Sequence, residues 1–216
     1  MNLLIGIVTG VVTGVLASAL FWLWQAKLMR PRMAICPTLA KYALSDRQTR
    51  YQFKILNVGR RPVADVRVWV RVLMPGLVKA GTPEVINILE FERPWIAKGG
   101  SHRRRINPSH MPDDTRRSYQ KYFPTKINEL LRAGQAIDLV DFLKIREGST
   151  LRVEVAATDA FSGARAYVQQ LFGLDDIKEG AFLKNSCSQS GRFDDAADLH
   201  EALDDENPEQ LTSGRS

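Results

Sequence analysis

The stretch YQFKILNVGRRPVADVRVWVRVL, residues 51–73, decides the class of this chain. It holds two runs in which apolar and polar residues alternate. In the first, Tyr51, Phe53 and Ile55 share one face and Gln52 and Lys54 the other. In the second, Val66, Val68, Val70 and Val72 lie opposite Arg67, Trp69 and Arg71. Successive side chains of an extended strand point to opposite faces, so a period of two predicts half-buried strands. Asn57, Gly59 and Pro62 between the runs supply turn chemistry, and Met74-Pro75-Gly76 ends the second run.

The same period recurs on both sides of a helical interruption. VINILEF and RRRIN are weaker strand candidates. LRVEVAATD sets Leu151, Val153 and Val155 opposite Arg152 and Glu154, DAFSG turns the chain, and ARAYVQQLF returns as the second strand of a hairpin. Between them the spacing becomes helical. A short helix is expected over Thr125–Ala133, closed by Gly134, and a second within AIDLVDFLKI, where Ile137, Val140 and Leu143 recur about every third residue. The expected fold is mainly β: an antiparallel β-sandwich over 36–184 with a helical insertion near 113–147.

The run N-V-G-R-R-P-V-A-D-V, with Asn57, Gly59, Ala64 and Val66, resembles the inter-strand turn of immunoglobulin-like modules of the CARDB and fibronectin III kind. The resemblance covers about ten residues. It implies an immunoglobulin-like β-sandwich of the sort used for adhesion or interaction, and it transfers no catalytic residue.

Ahead of this domain stands MNLLIGIVTGVVTGVLASALFWLW. Leu3–Trp24 holds about 22 residues without a charge, about 33 Å of helix at 1.5 Å per residue, enough to cross a hydrocarbon layer of about 30 Å. Trp22 and Trp24 fall where indoles favour the headgroup zone; Lys27, Arg30 and Arg32 follow as interfacial anchors, with Pro31 ending the helix. The segment therefore reads as a transmembrane anchor (1–26) with a basic juxtamembrane linker (27–35). Its positive flank places the C-terminal domain in the cytoplasm, the N-terminus outside and the chain in the inner membrane as a single-pass protein. The competing reading is a cleaved signal peptide, since Ala17-Ser18-Ala19 fits a cleavage pattern. Against it, no basic residue opens the segment and Phe21-Trp22-Leu23-Trp24 carries the apolar run past that point.

Gly6, Gly10 and Gly14 recur every fourth residue, so they fall on one helix face, which Ser18 extends and Thr9 and Thr13 border. Interior glycine costs a helix about 1 kcal/mol relative to alanine. Close backbone packing in lipid repays small residues on such a face, so the strip predicts self-association of the helix into a homo-oligomer.

Charge is graded along the chain. Residues 27–105 hold about 17 Lys and Arg against about 5 acids, 106–184 are balanced, and 185–216 hold about 2 against about 8. The last stretch is poor in large apolar residues and is expected to be an acidic, disordered tail, with one short helix over Asp194–Leu203. Arg60, Arg61, Arg67, Trp69, Arg71, Arg103, Arg104 and Arg105 form the basic surface. Near an anionic leaflet each basic residue contributes roughly 1 kcal/mol of attraction, which makes lipid headgroups the first expected partner. A nucleotide-type anionic signal is the alternative, and nucleic acid is not expected.

Motif chemistry is sparse. His102, His110 and His200 have no ligand-spaced partner, and no nucleophile elbow or phosphate-binding loop occurs, so no metal, cofactor or catalytic residue is expected. Arg105 and His110 satisfy the R-x(4)-H spacing that resembles helical HEPN ribonucleases, but Pro108 between them breaks the helix that family needs. Asp159 with Ser162 reads as hairpin-turn chemistry, and Asp113-Asp114 and Asp175-Asp176 as ordinary loop or helix-start acids. Cys36 and Cys187 match no redox or metal spacing, and reduced thiols in a cytosolic domain are expected. The expected function is a non-catalytic interaction or sensory module on a self-associating membrane helix, with an unidentified protein partner. The alternative is a membrane effector in which a bound anion controls helix clustering.

Overall fold

The stretch from Gly6 to Trp24 carries no charge and only Thr9, Thr13 and Ser18 as polar side chains, and none of it in α1 (Asn2–Leu28) is buried against the rest of the chain. The computed structural model describes residues 2–28, 30–45, 48–79, 81–183 and 187–190. By length and composition α1 can cross a membrane, as an anchor or as a signal sequence. The expected helix over Asp194–Leu203 and the acidic tail beyond Ser190 lie outside the described residues.

The strands follow the alternating runs. β1 (Met33–Ile35), β2 (Leu39–Ser45), β3 (Gln48–Asn57), β4 (Val63–Pro75), β5 (Pro83–Ile96) and β6 (Ser101–Ile106) precede the helices. These are α2 (Asp113–Tyr119), α3 (Thr125–Arg132) and α4 (Leu139–Leu143). β7 (Thr150–Asp159) and β8 (Arg165–Phe172) form the expected hairpin, and short β9 (Ile177–Glu179), β10 (Ala181–Phe182) and β11 (Gln189–Ser190) follow.

One sheet runs β5-β4-β7-β8, antiparallel throughout. In the other, β3 is central, with β1 and β2 along one edge, β6 along the other, and β9 beside β2. The β2–β9 pair is parallel, Leu39 opposite Ile177 and Lys41 opposite Glu179, which corrects the expectation of a wholly antiparallel domain. A parallel neighbour requires a long crossover, and most of the domain lies between these two strands.

Both sheets bury one face in a common core. Val66, Val68, Val70 and Val72 meet Leu151, Val153 and Val155 on the first sheet and Tyr51, Phe53 and Ile55 on the second. The helical insertion belongs to this core: Ile127 and Leu131, one turn apart on α3, are buried, as are Phe142 and Leu143 of α4. Asp138 caps α4, accepting from Val140 N at 2.8 Å, and the same carboxylate accepts the Tyr51 hydroxyl at 2.8 Å, which ties the insertion to β3. Burial, and then the adjoining Asp138 carboxylate, push the Tyr51 hydroxyl far above its ordinary range.

Gln52 and Lys54 depart from the half-buried pattern. Both are buried on the face of β3 that alternation assigned to water. The segment carrying β10 and β11 lies across Lys54. Lys54 Nζ donates to the Leu183 carbonyl and sits 5.9 Å from the Phe182 ring centroid; Arg103 Nη1 donates to the Phe182 carbonyl at 3.3 Å. Cys36 and Cys187 close this strap as a disulfide, their Cα atoms 5.2 Å apart. The expectation of reduced thiols is thereby corrected, because the strap brings a distant cysteine back onto the start of the domain.

Candidate functional site

On α1 the glycines have open surroundings: a Cβ on Gly6, Gly10 or Gly14 meets nothing within 4 Å. The strip is thus unoccupied within the chain, with Ser18 exposed on the same helix. Thr13 Oγ1 donates to the Thr9 carbonyl at 2.8 Å, so in this single copy the Thr13 hydroxyl is satisfied along its own helix. Trp22 and Trp24 are exposed, and Arg30 and Arg32 beyond them are exposed too. Lys27 lies in the last turn of α1.

The basic residues sort into three places. Arg67, Trp69 and Arg71 lie on the outer face of the β5-β4-β7-β8 sheet, and acids answer them there. Arg67 Nε lies 3.0 Å from Glu92 Oε1, and Trp69 Nε1 donates to Glu90 Oε1 at 2.7 Å. Arg71 Nη1 lies 2.6 Å from Glu154 Oε2, while Arg152 Nε lies 2.9 Å from Glu154 Oε1. The two guanidiniums cover Glu154 so well that only 5 % of it is exposed, although it stands on the outer face. Burial first, and the nearby Glu154 carboxylate second, raise the Tyr167 hydroxyl.

Arg103, Arg104 and Arg105 lie on β6, opposite Lys54, Phe53 and Gln52. Arg104 stacks 5.1 Å over Phe91, and Arg103 is engaged by the strap. This cluster faces protein more than solvent.

Arg60 and Arg61 lie in the β3–β4 turn, and here several separate segments meet. Val58 N donates to the Arg32 carbonyl at 2.9 Å, joining the turn to the chain just after α1. Gly59 approaches so closely that a Cβ there lies 3.2 Å from Arg32 N. Asn57 binds the turn together: Nδ2 donates to the Arg61 and Ala97 carbonyls at 2.8 and 3.1 Å, and Oδ1 accepts from Gly59 N at 3.0 Å. The β5–β6 turn joins through Asn57 N to Gly100 O at 3.0 Å, and the β7–β8 turn through Ala160 N to Pro62 O at 3.4 Å. Arg61 lies 5.8 Å over the Phe161 ring.

Sequence reasoning missed the apolar members of this end. Val58 and Trp95 are each 57 % exposed and Phe161 is 75 % exposed. Trp95 carried no signal because Glu92-Arg93-Pro94-Trp95 breaks the alternation of β5, and Phe161 reads as one residue of a turn.

Elsewhere, α2 and α3 frame an open groove of about 470 Å³ lined by Asp113, Arg116, Arg117, Gln120, Leu131 and Arg132. Arg116 Nη2 lies 2.5 Å from Asp113 Oδ1, and Gln120, with its amide oxygen turned to Arg132, accepts from Arg132 Nη2 at 3.1 Å. Asp159 makes an Asx turn, accepting from Ser162 N at 2.7 Å and Ser162 Oγ at 2.8 Å. Asp113 and Asp114 open α2, and Asp176 accepts from Gly173 N at 2.8 Å in a short 3₁₀ turn. Arg105 sits in β6 and His110 in a separate 3₁₀ turn, so the two share no helix. Among the described residues no group of three or more His, Cys, Asp or Glu is placed to hold a metal ion. The chain matches no protein-family model and no curated relative.

Proposed function

We propose that this chain is a single-pass membrane protein whose β-domain serves as a non-catalytic interaction or sensory module, assembled through the glycine strip of α1. One observation carries the reading. An apolar helix with no buried face runs, through Arg30 and Arg32, into a domain whose core is complete without it. A helix that contributes nothing to the core is held by something else, and its length and flanks suit a bilayer. The shared core of two sheets and the Asn57 turn support an immunoglobulin-like module, the kind of scaffold used to present surfaces to partners.

Orientation rests on two opposed signals. Lys27, Arg30 and Arg32 support a cytoplasmic domain with the N-terminus outside. The Cys36–Cys187 bridge supports the exported reading, because structural disulfides persist in oxidising compartments. We favour the cytoplasmic placement, since the basic flank lies directly at the membrane boundary. Protease protection of membrane vesicles, read with antibodies to the domain, tests it: a domain digested only from the periplasmic side rejects the cytoplasmic assignment. Retention of the chain in membranes after alkaline extraction tests the anchor itself, and release into the soluble fraction rejects it.

The second reading is a membrane effector that binds an anionic, nucleotide-type signal. The groove formed by Arg116, Arg117 and Arg132 favours it, since guanidiniums recognise phosphate oxygens in pairs. Saturable binding of a nucleotide panel, lost on Arg117→Ala with Arg132→Ala, supports it; titrations without saturation reject it.

A further inference from the structure

We infer that the end of the β-domain next to the anchor docks onto the membrane surface, with Trp95, Phe161 and Val58 entering the headgroup layer of an anionic bilayer. The inference rests on the anchored reading given above and adds the face of the domain that meets lipid.

Connectivity comes first. Arg32, whose carbonyl is hydrogen-bonded into the β3–β4 turn, stands four positions after Leu28, the end of α1. A chain spans at most about 3.6 Å per residue, so this turn stays within about 14 Å of the helix end. That is little more than the roughly 8–10 Å over which charges act in physiological salt. The β5–β6 and β7–β8 turns are hydrogen-bonded to the same turn and are held at the same level.

Composition comes second. Single exposed apolar side chains on a soluble protein need no explanation. Here Val58 and Phe161 come from two different turns and Trp95 from the last residues of β5, and the three meet at one end, each more than half exposed. At the opposite end the β4–β5 connection folds its largest apolar residue inward, leaving Leu77 only 3 % exposed. Indole and phenyl rings favour the bilayer interface.

Charge comes third. Arg32, Arg60 and Lys98 are exposed around the apolar residues, and Arg61 stacks on Phe161, pairing a cation with a ring as an interface requires. The acids nearby are Asp65, which is exposed, and Asp159, whose carboxylate is taken up by Ser162. The end is therefore net basic, unlike the outer sheet face, where Glu92 and Glu154 pair with arginines and Glu90 with Trp69. A leaflet carrying phosphatidylglycerol or phosphatidylserine is complementary in both respects.

The experiment uses the full chain in nanodiscs of phosphatidylcholine with or without phosphatidylglycerol, with acyl chains brominated near the headgroup. Fluorescence of the wild type minus that of Trp95→Phe isolates one indole among Trp22, Trp24, Trp69 and Trp95. Docking predicts quenching of the Trp95 component in anionic discs, weaker quenching in neutral discs, and loss of quenching in Phe161→Ala. Arg60→Glu with Arg61→Glu should lower the docked-to-free ratio roughly fivefold for each charge removed, and more for reversal. Trp95 near the end of β5 and Arg60, Arg61 and Phe161 in turns are none of them buried, so an unchanged thermal transition serves as the folding control. Quenching confined to Trp22 and Trp24 overturns docking and leaves the anchor standing. A chain that fails to enter discs, with no tryptophan quenched, overturns the anchor and docking together. Equal quenching of Trp95 in neutral discs overturns the electrostatic part.

Discussion

Cys36 and Cys187 are bonded to each other across 151 residues of sequence, and they fasten the last described strands onto the face of β3 that carries Lys54. The bridge closes a loop holding nearly the whole domain. Loop closure restricts the unfolded chain, and loops of this length give up to about 5 kcal/mol, with 2–4 typical. We expect Cys36→Ser with Cys187→Ser to lower domain stability by about 2–5 kcal/mol in urea titrations. Unchanged midpoints in the oxidised wild type and the double variant would falsify the stabilising role. Alkylation of the chain isolated under acid quench reports whether the bridge exists in cells, and with it the compartment.

Glu154 is the hinge of the outer sheet face. Glu154→Gln leaves Arg71 and Arg152 facing a neutral amide in a place where the carboxylate is almost fully covered. Removing one partner of a fully buried pair costs about 3–5 kcal/mol; both arginines are about a quarter exposed, so we expect roughly 1–3 kcal/mol. Arg67→Ala breaks a pair whose side chains are 58 % and 66 % exposed and should change stability by under about 1 kcal/mol. Chemical denaturation of both variants checks the contrast, and equal losses would refute it.

Asp159 sets a pH dependence at the acid end. Burial works to raise its carboxyl, but hydrogen bonds from Ser162 and Phe161, with the Arg61 charge, outweigh it and hold the group below the ordinary carboxylate range. Its folded value lies below the unfolded one, so its contribution is complete above the unfolded value of about 4 and fades as pH falls through the folded value. Asp159→Asn should therefore narrow the stability difference between neutral and acidic solution. Parallel stability–pH curves for wild type and variant below neutrality would reject this assignment.

Asn57 is expected to be intolerant of change. It is 1 % exposed, and its amide serves the Arg61, Ile96 and Ala97 carbonyls while its oxygen takes Gly59 N. Asn57→Ala strands these groups at a cost of about 1–3 kcal/mol, and Asn57→Asp should be no better because it offers no donor to carbonyls. Thermal melts of both variants test this, with a wild-type Tm for either counting against it.

Gly10→Leu probes assembly. The space around Gly10 is open within one chain, so leucine introduces no internal clash and improves helix propensity by about 1 kcal/mol. A drop in the native mass of the detergent-solubilised protein therefore reports packing between helices. Monomers for both wild type and variant remove the oligomer from the proposed function.

Period-two alternation made β3, β4, β7 and β8 legible in the sequence, as did the helical spacing in α3 and α4, because each of these elements buries one face and the pattern records which. The apolar run of α1 was legible for the simpler reason that it carries no charge over its whole length from Gly6 to Trp24. Other features were invisible along the chain. Lys54 reads as solvent-facing until a distant strap covers it, and Glu154 is buried because Arg71 on the neighbouring β4 joins Arg152 of its own strand over it. The parallel β2–β9 pair and the Cys36–Cys187 bridge join segments from the two ends of the domain, and local periodicity holds no record of such meetings. The same holds for the docking end, where Val58 and Phe161 from two turns and Trp95 from the end of β5 have nothing in common in sequence. What a residue prefers locally is set by its own backbone and side chain; what it touches across the domain is set by which strands pair.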